Sequence, residues 1–190
     1  MKIAFYSLCL LVSLLLCYGC KSSKDDIRSK IEKMQTKPIT IPYSEMLLWT
    51  RDSTDRTPNT HTEYKLVVYI DSTHCTECEL KKMYLWDDFV KLEHKYNGLF
   101  RVVFIVQASK KSTSKALTSA FRFHKVEYPM YIDSTSMFSK MNRHIPLENM
   151  YHVFLLDKKD SVVLVGNPQF NPEIENRLLQ ILEKNCELNK

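Results

Sequence analysis

Apolar and polar positions in this chain follow two alternating rhythms. Leu66-Val67-Val68-Tyr69-Ile70 is continuously apolar, the pattern of a strand buried on both faces. The next segment, 76–96, changes period: Leu85, Phe89, Leu92 and Tyr96 recur at spacings of four, three and four. That predicts one long amphipathic helix, ended by Asn97-Gly98, since glycine accepts a left-handed C-cap. A second buried strand is predicted over 100–106. A helix over 112–123 then starts from a Ser/Thr-rich cap, before a short strand over 128–132 and a short helix over 134–142. Strands over 151–156 and 162–165 are joined by Asp157-Lys158-Lys159-Asp160, a hairpin signal. Asn171-Pro172 opens a last helix, with Asn as N-cap and Ile174, Leu178, Ile181 and Leu182 on its core face. Ahead of all this, 37–49 reads as a short edge hairpin and 51–63 as a polar loop.

The predicted order is β-α-β-α-β-α-β-β-α. Such alternation implies an α/β fold with parallel pairing, and the final hairpin adds an antiparallel strand. The expectation is a three-layer α/β/α sandwich around a central mixed sheet. At 190 residues there is room for one ordinary domain and a leader. An apolar content of 44% can fill a core, and only three glycines and seven prolines argue against a fibrous or low-complexity chain.

The first 19 residues read as a secretion signal. Lys2 supplies the positive start, residues 3–17 are almost wholly apolar, and Gly19 precedes Cys20. The pattern resembles a bacterial lipoprotein signal, which implies cleavage after Gly19 and a lipid on Cys20, although Cys17 and Tyr18 depart from the usual aliphatic and small residues. A lipid anchor holds a protein at a membrane without spanning it. An uncleaved membrane anchor is the alternative. The domain organisation expected is a signal over 1–19, a polar tether over 20–36 and a folded domain over 37–190. Lys24-Asp25-Asp26 in the tether resembles an export signal of surface lipoproteins, and equally suits a solvated linker. The expected location is the cell envelope.

The full chain carries +5, and loss of residues 1–19 removes only Lys2, leaving +4. The basic residues are scattered with acids nearby, so no nucleic-acid surface is expected. Of six cysteines, Cys9 and Cys17 leave with the signal and Cys20 takes the lipid. Cys75, Cys78 and Cys186 remain, which is not the framework of a disulfide-stapled scaffold.

Cys75 and Cys78 lie in His74-Cys75-Thr76-Glu77-Cys78, where the first buried strand gives way to the long helical pattern. Two cysteines so spaced can close a small disulfide ring. A thiol at a helix N-terminus has its thiolate favoured by backbone N–H groups and the dipole, and the thiolate is the species that attacks disulfides. Cys75 is thus the candidate nucleophile and Cys78 the resolving thiol. Glu77 raises the cost of a nearby thiolate, whereas a protonated His74 lowers it. The balance predicts a reductant or isomerase. Asp71, at the strand's end, is a candidate proton relay for Cys78 or a cap for the loop.

These residues, with Tyr128-Pro129-Met130-Tyr131-Ile132-Asp133 and the closing segment Val153–Leu156 through Pro168, resemble the thioredoxin superfamily, most closely its TlpA/ResA branch of membrane-tethered thiol–disulfide oxidoreductases. The resemblance covers roughly 60–185, and it implies that the unit beginning at 128 is a strand–helix insertion in the fold. It also implies a redox-active Cys75–Cys78 disulfide, no cofactor, and protein thiols or disulfides as partners. The branch places tryptophan before the first cysteine and proline before the second; here His74 and Glu77 stand there. Its cis-proline position falls near Tyr151, with Pro146 five residues earlier. By that geometry Tyr151 and His152 would face the cysteines.

Other readings of the pair remain. Sco-type copper-delivery proteins have a similar fold, and Cys75, Cys78 and His152 would be the copper ligands. A non-catalytic interaction module keeping an inert disulfide is another. Structural zinc calls for a second Cys/His pair, and His61 and His74 lack ligand spacing. A peroxidase would carry a proline ahead of its reactive cysteine that Ile70-Asp71-Ser72-Thr73-His74 lacks. Trp86 is expected in the core or on the helix surface, and Cys186 has no assigned role.

Overall fold

The computed structural model describes residues 23–51, 62–73, 75–96, 98–109 and 112–188. Cys20 and His74 lie outside the described residues, as do the signal and most of the 51–63 loop. Six helices and six strands are present among them: α1 Ser23–Met34, β1 Leu47–Trp49, β2 Tyr64–Ile70, α2 Thr76–Leu80, α3 Asp87–Lys95, β3 Phe100–Gln107, α4 Ser114–Phe123, β4 Met130–Asp133, α5 Met137–Met141, β5 Val153–Leu156, β6 Val162–Val165 and α6 Pro172–Leu188.

The strands form one sheet in the order β1-β4-β3-β2-β5-β6. β2, β3 and β4 run parallel, while β5 and β6 continue the other side antiparallel and β1 closes the β4 edge antiparallel. The chain advances β2→β3→β4 in one direction, so right-handed crossovers put α2, α3 and α4 on the same face. There Leu80, Met83, Phe89, Leu117 and Phe121 pack with Leu66, Val68 and Phe104, joined by Leu178 and Leu182 of α6. The opposite face buries Val67, Tyr69, Ile105 and Phe154 under Met34 of α1 and Phe138 of α5. The expected three-layer sandwich with a central mixed sheet is observed, and β4 with α5 forms the expected extra unit.

Three local expectations give way. The helix expected over 76–96 is broken: α2 is five residues long, a 3₁₀ turn follows at Met83–Trp86, and α3 completes the segment. Leu80, Met83, Trp86 and Phe89 are all buried, at intervals of three. Met83 and Trp86 lie within the 3₁₀ turn, whose 3.0-residue period puts them on one line. The 37–49 segment forms no hairpin: a 3₁₀ turn, Tyr43–Glu45, leads into β1, which pairs only with β4. Within the segment read as a tether, Ser23–Met34 is helical, Met34 is fully buried, and Ile27 and Ile31 pack on the same cluster.

The C-terminal expectations fare better. Asn171 caps α6, its Oδ1 accepting the N–H groups of Glu173 at 3.0 Å and Ile174 at 3.3 Å. Asp157 fixes the β5–β6 turn by accepting from the N–H groups of Lys159 and Ser161.

Candidate active site

β2 delivers its chain end into solvent. Asp71 follows Ile70 and is buried; its Oδ1 accepts the N–H of Thr73 at 2.8 Å and the Thr73 hydroxyl at 2.7 Å. This closes an Asx-type turn that aims the chain back toward α2. Cys75 is the N-cap of α2, and its Sγ accepts the Cys78 N–H at 3.3 Å. Cys75 and Cys78 are joined in a disulfide with Cα atoms 5.2 Å apart, and both residues are exposed. The N–H of Cys78, directed at Cys75 Sγ, is the local donor that would stabilise a thiolate there. A helix as short as α2 adds little dipole to it. Glu77 and Glu79 place two carboxylates in that same first turn.

Behind the turn lies a buried polar pair. His152 Nδ1 stands 3.6 Å from Asp71 Oδ2, and Nε2 is 3.1 Å from the Pro146 carbonyl oxygen. A carbonyl oxygen only accepts, so Nε2 carries the hydrogen. The imidazole packs 5.0 Å from the Tyr69 ring, and the Tyr69 N–H donates to the His152 carbonyl at 2.9 Å. The Tyr69 phenol is pushed up to about 12, chiefly by burial, and donates to Gln107 Oε1. A cavity of about 180 Å³ opens among Tyr69, Asp71, Gln107, Ser139, Pro146 and His152.

The remaining expected site residues fall as follows. Tyr151 is buried in the α1/α5 layer, with Lys30 Nζ 6.0 Å above its ring. No cis peptide bond occurs among the described residues. The loop ahead of β5 is instead tied by His152, through Pro146 and Asp71. Trp86 is core, edge-on to Phe89 and Phe104, and also forms part of a groove wall. Cys186 is a free thiol, half-buried against the α6 side of the core. Of the residues considered for copper, His152 turns its Nε2 to the Pro146 carbonyl oxygen and its Nδ1 toward Asp71. Among the described residues no group of three or more His, Cys, Asp or Glu side chains is placed to hold a metal.

Two features escaped the sequence. A groove of about 390 Å³ runs beside α2, walled by Glu79, Lys82 and Trp86 on one side and by Asn149, Met150 and Phe170 on the other. Met150 and Phe170 are exposed by 55% and 69%. The second feature is His124, at the end of α4, whose Nε2 lies 3.8 Å from Glu77 Oε1. Neither carries a local motif, because each arises from segments far apart in the chain.

The parallel unit β2-α2/α3-β3 is followed by the antiparallel pair β5-β6, with β2 central in the order β3-β2-β5-β6 and the cysteine pair leaving β2. The fold is thioredoxin-like. No protein-family model and no curated protein matches the chain. Solved structures do. A domain titled a "possible thiol-disulfide isomerase" from Cytophaga hutchinsonii aligns with 18% identity and a TM-score of 0.48, over 68% of this chain and 82% of that one. The thioredoxin domain of a thiol-disulfide oxidoreductase from Bacteroides vulgatus aligns with 14% identity and a TM-score of 0.47, over 65% and 82%. StoA from Bacillus subtilis aligns with 15% identity and a TM-score of 0.44, over 63% and 88%. At TM-scores below 0.5 these likenesses carry no weight for either fold or function. The thioredoxin-like assignment rests on strand order and on where the cysteines leave the sheet.

Proposed function

We propose that this chain is a thiol–disulfide oxidoreductase acting on protein thiols outside the cytoplasm, as a reductant or isomerase, with no cofactor beyond its own sulfurs. The observation that carries the reading is the exposed Cys75–Cys78 disulfide at the start of α2, beside a groove edged by Met150 and Phe170. In the reduced form, the Cys75 thiolate attacks one sulfur of a substrate disulfide. The substrate S–S bond breaks, a mixed disulfide forms, and the displaced thiolate takes up a proton. The Cys78 thiolate then attacks Cys75 Sγ, closing the Cys75–Cys78 bond and releasing the second substrate thiol. The substrate gains two electrons and two protons, and a dithiol donor must return them to the pair. Exposed apolar side chains on the groove along α2 suit a loosely folded polypeptide better than a small polar disulfide.

The direction follows from charge. Glu77 and Glu79 disfavour a thiolate in the first turn of α2, and the short helix offers it little dipole. A thiolate so disfavoured destabilises the reduced pair and makes it the better reductant. The proposal includes a lipid on Cys20. Only two residues separate it from α1, whose Ile27, Ile31 and Met34 dock on the domain, so the site would work close to a membrane surface.

The test is reduction of insulin disulfides by the detergent-solubilised full chain. Cys75→Ser is expected to abolish turnover, and Cys78→Ser to accumulate mixed disulfides with substrate. Turnover that survives Cys75→Ser would defeat the proposal. Release of the Cys20→Ser protein from the membrane fraction tests the anchor separately.

A further inference from the structure

We infer that His124 is a positioning residue for the Cys75–Cys78 couple, acting through the carboxylate of Glu77. The inference rests on the oxidoreductase reading above and adds a residue that sets the couple's poise.

His124 closes α4, its N–H donating to the Ala120 carbonyl at 2.9 Å. Its side chain is only 10% exposed, and Nε2 is buried without a hydrogen-bond partner among the described residues. A buried ring nitrogen left so is costly and calls for an explanation. Glu77 Oε1, 3.8 Å away, supplies one. At that distance a neutral imidazole makes no hydrogen bond, whereas an imidazolium makes an ion pair. Glu77 is the only charged residue between the two cysteines.

The other charges around the ring are accounted for. Lys81 on the α2 side, Tyr84 in the 3₁₀ turn, Asp87 of α3, and Lys125, Glu127 and Tyr128 beyond α4 line a groove of about 390 Å³ with His124. Asp87 accepts from the Tyr128 hydroxyl, and Glu127 pairs with Arg51 at 2.8 Å. Lys81 and Lys125 are cations and offer the imidazolium no partner. Among the described residues, Glu77 is the carboxylate within ion-pair distance of His124 Nε2.

The consequence reaches the sulfurs. A bare Glu77 carboxylate disfavours the thiolate of the reduced pair, and an imidazolium beside it cancels part of that field. His124 carrying a proton therefore favours the reduced pair, and losing the proton makes the couple more reducing.

The experiment equilibrates the full-length protein with dithiothreitol and its cyclic disulfide. Two electrons and two protons pass from dithiothreitol to the Cys75–Cys78 bond, which breaks as the dithiothreitol ring disulfide forms. At about pH 7, His124→Gln is expected to lower the equilibrium constant for reduction by up to about fivefold, the reach of an ion pair with an exposed partner. Glu77→Gln is expected to raise it by a similar factor. In the Glu77→Gln background, His124→Gln should then have no effect, which only action through Glu77 produces.

The inference is overturned if His124→Gln matches wild type at about pH 7, or shifts the constant equally with and without Glu77. Should His124→Gln fail to fold, exposed Glu77→Gln still decides the matter: wild type must show a step in its pH profile that Glu77→Gln lacks, and identical profiles sink the idea. The constant is measurable whether or not insulin is reduced. Inert protein with the expected constants defeats the enzyme reading alone, and active protein with unmoved constants defeats this inference alone.

Discussion

On one side of the turn after β2, Cys75, Glu77 and Cys78 stand in solvent at the start of a five-residue helix. On the other side, Asp71 and His152 are buried, and their polar atoms answer Thr73 and Pro146. The two sides are four residues apart in sequence and differ in every physical respect. The exposed side makes few fixed contacts, so its sulfurs are free to change partners. The buried side fixes the backbone that presents them. Reactivity and rigidity are thereby separated: substitutions in front should change chemistry with little effect on folding, and substitutions behind should do the reverse.

The largest expected effect on stability tests the buried side. Asp71→Ala removes one partner of the Asp71–His152 pair and both acceptor bonds to Thr73. Losing hydrogen bonds to a buried carboxylate typically costs about 1.5–3 kcal/mol each. Urea unfolding should show that loss, while the Cys75–Cys78 disulfide still forms. A loss under about 1 kcal/mol would mean that the turn holds itself and that the contrast is only one of exposure.

Much of the fold was legible because it is written in local periods. The continuous apolar run at 66–70, the Asn171-Pro172 helix start and the Asp157–Asp160 turn each state their structure within a few residues. The broken helix after Cys78 was not legible in the same way. Leu80, Met83, Trp86 and Phe89 follow a period of three, but Leu85, Phe89, Leu92 and Tyr96 follow a helical one, and only the sheet beneath decides between them. The cysteine pair could be read from spacing and context. The pairings Asp71–His152 and Glu77–His124 could not, since each joins residues that only the fold brings together. Tyr151 shows the same limit: an expectation taken from loop position placed it toward the cysteines, and it lies in the opposite layer with Phe138 and Met34.

The next effect concerns α1. Met34 is fully buried at its end, so Met34→Ala should cost about 2–4 kcal/mol. If the helix merely rests on the domain, the unfolding midpoint will not move. That outcome would also release the site from the membrane surface, because the link from Cys20 would then be longer.

The groove offers a smaller effect, confined to the front. Met150→Ser with Phe170→Ser removes exposed apolar surface from the groove along α2. We expect the KM for insulin to rise roughly fivefold, about 1 kcal/mol of apolar contact, while reduction of a small aromatic disulfide stays unchanged. Equal losses on both substrates would assign these residues to the chemistry and not to polypeptide docking.

The smallest effect lies far from the cysteines and checks that the distinction holds elsewhere. Glu93 of α3 is partly buried and accepts the Val102 N–H at 2.7 Å, fastening α3 to β3. Burial raises its carboxyl above the ordinary value, and the Val102 bond offsets only part of that. The folded chain therefore holds the Glu93 proton more tightly than the unfolded chain. The resulting stabilisation is complete below the ordinary carboxyl value and is lost as pH rises through the folded-state one. Gln at this position keeps an acceptor for Val102 and never ionises. Wild type and Glu93→Gln should thus unfold alike near about pH 4, and the variant should be the more stable near about pH 7. Wild type proving the more stable at neutral pH would show that the charged bond to Val102 outweighs burial. In that case Glu93 would belong with Asp71, as a buried acid whose charge the fold uses.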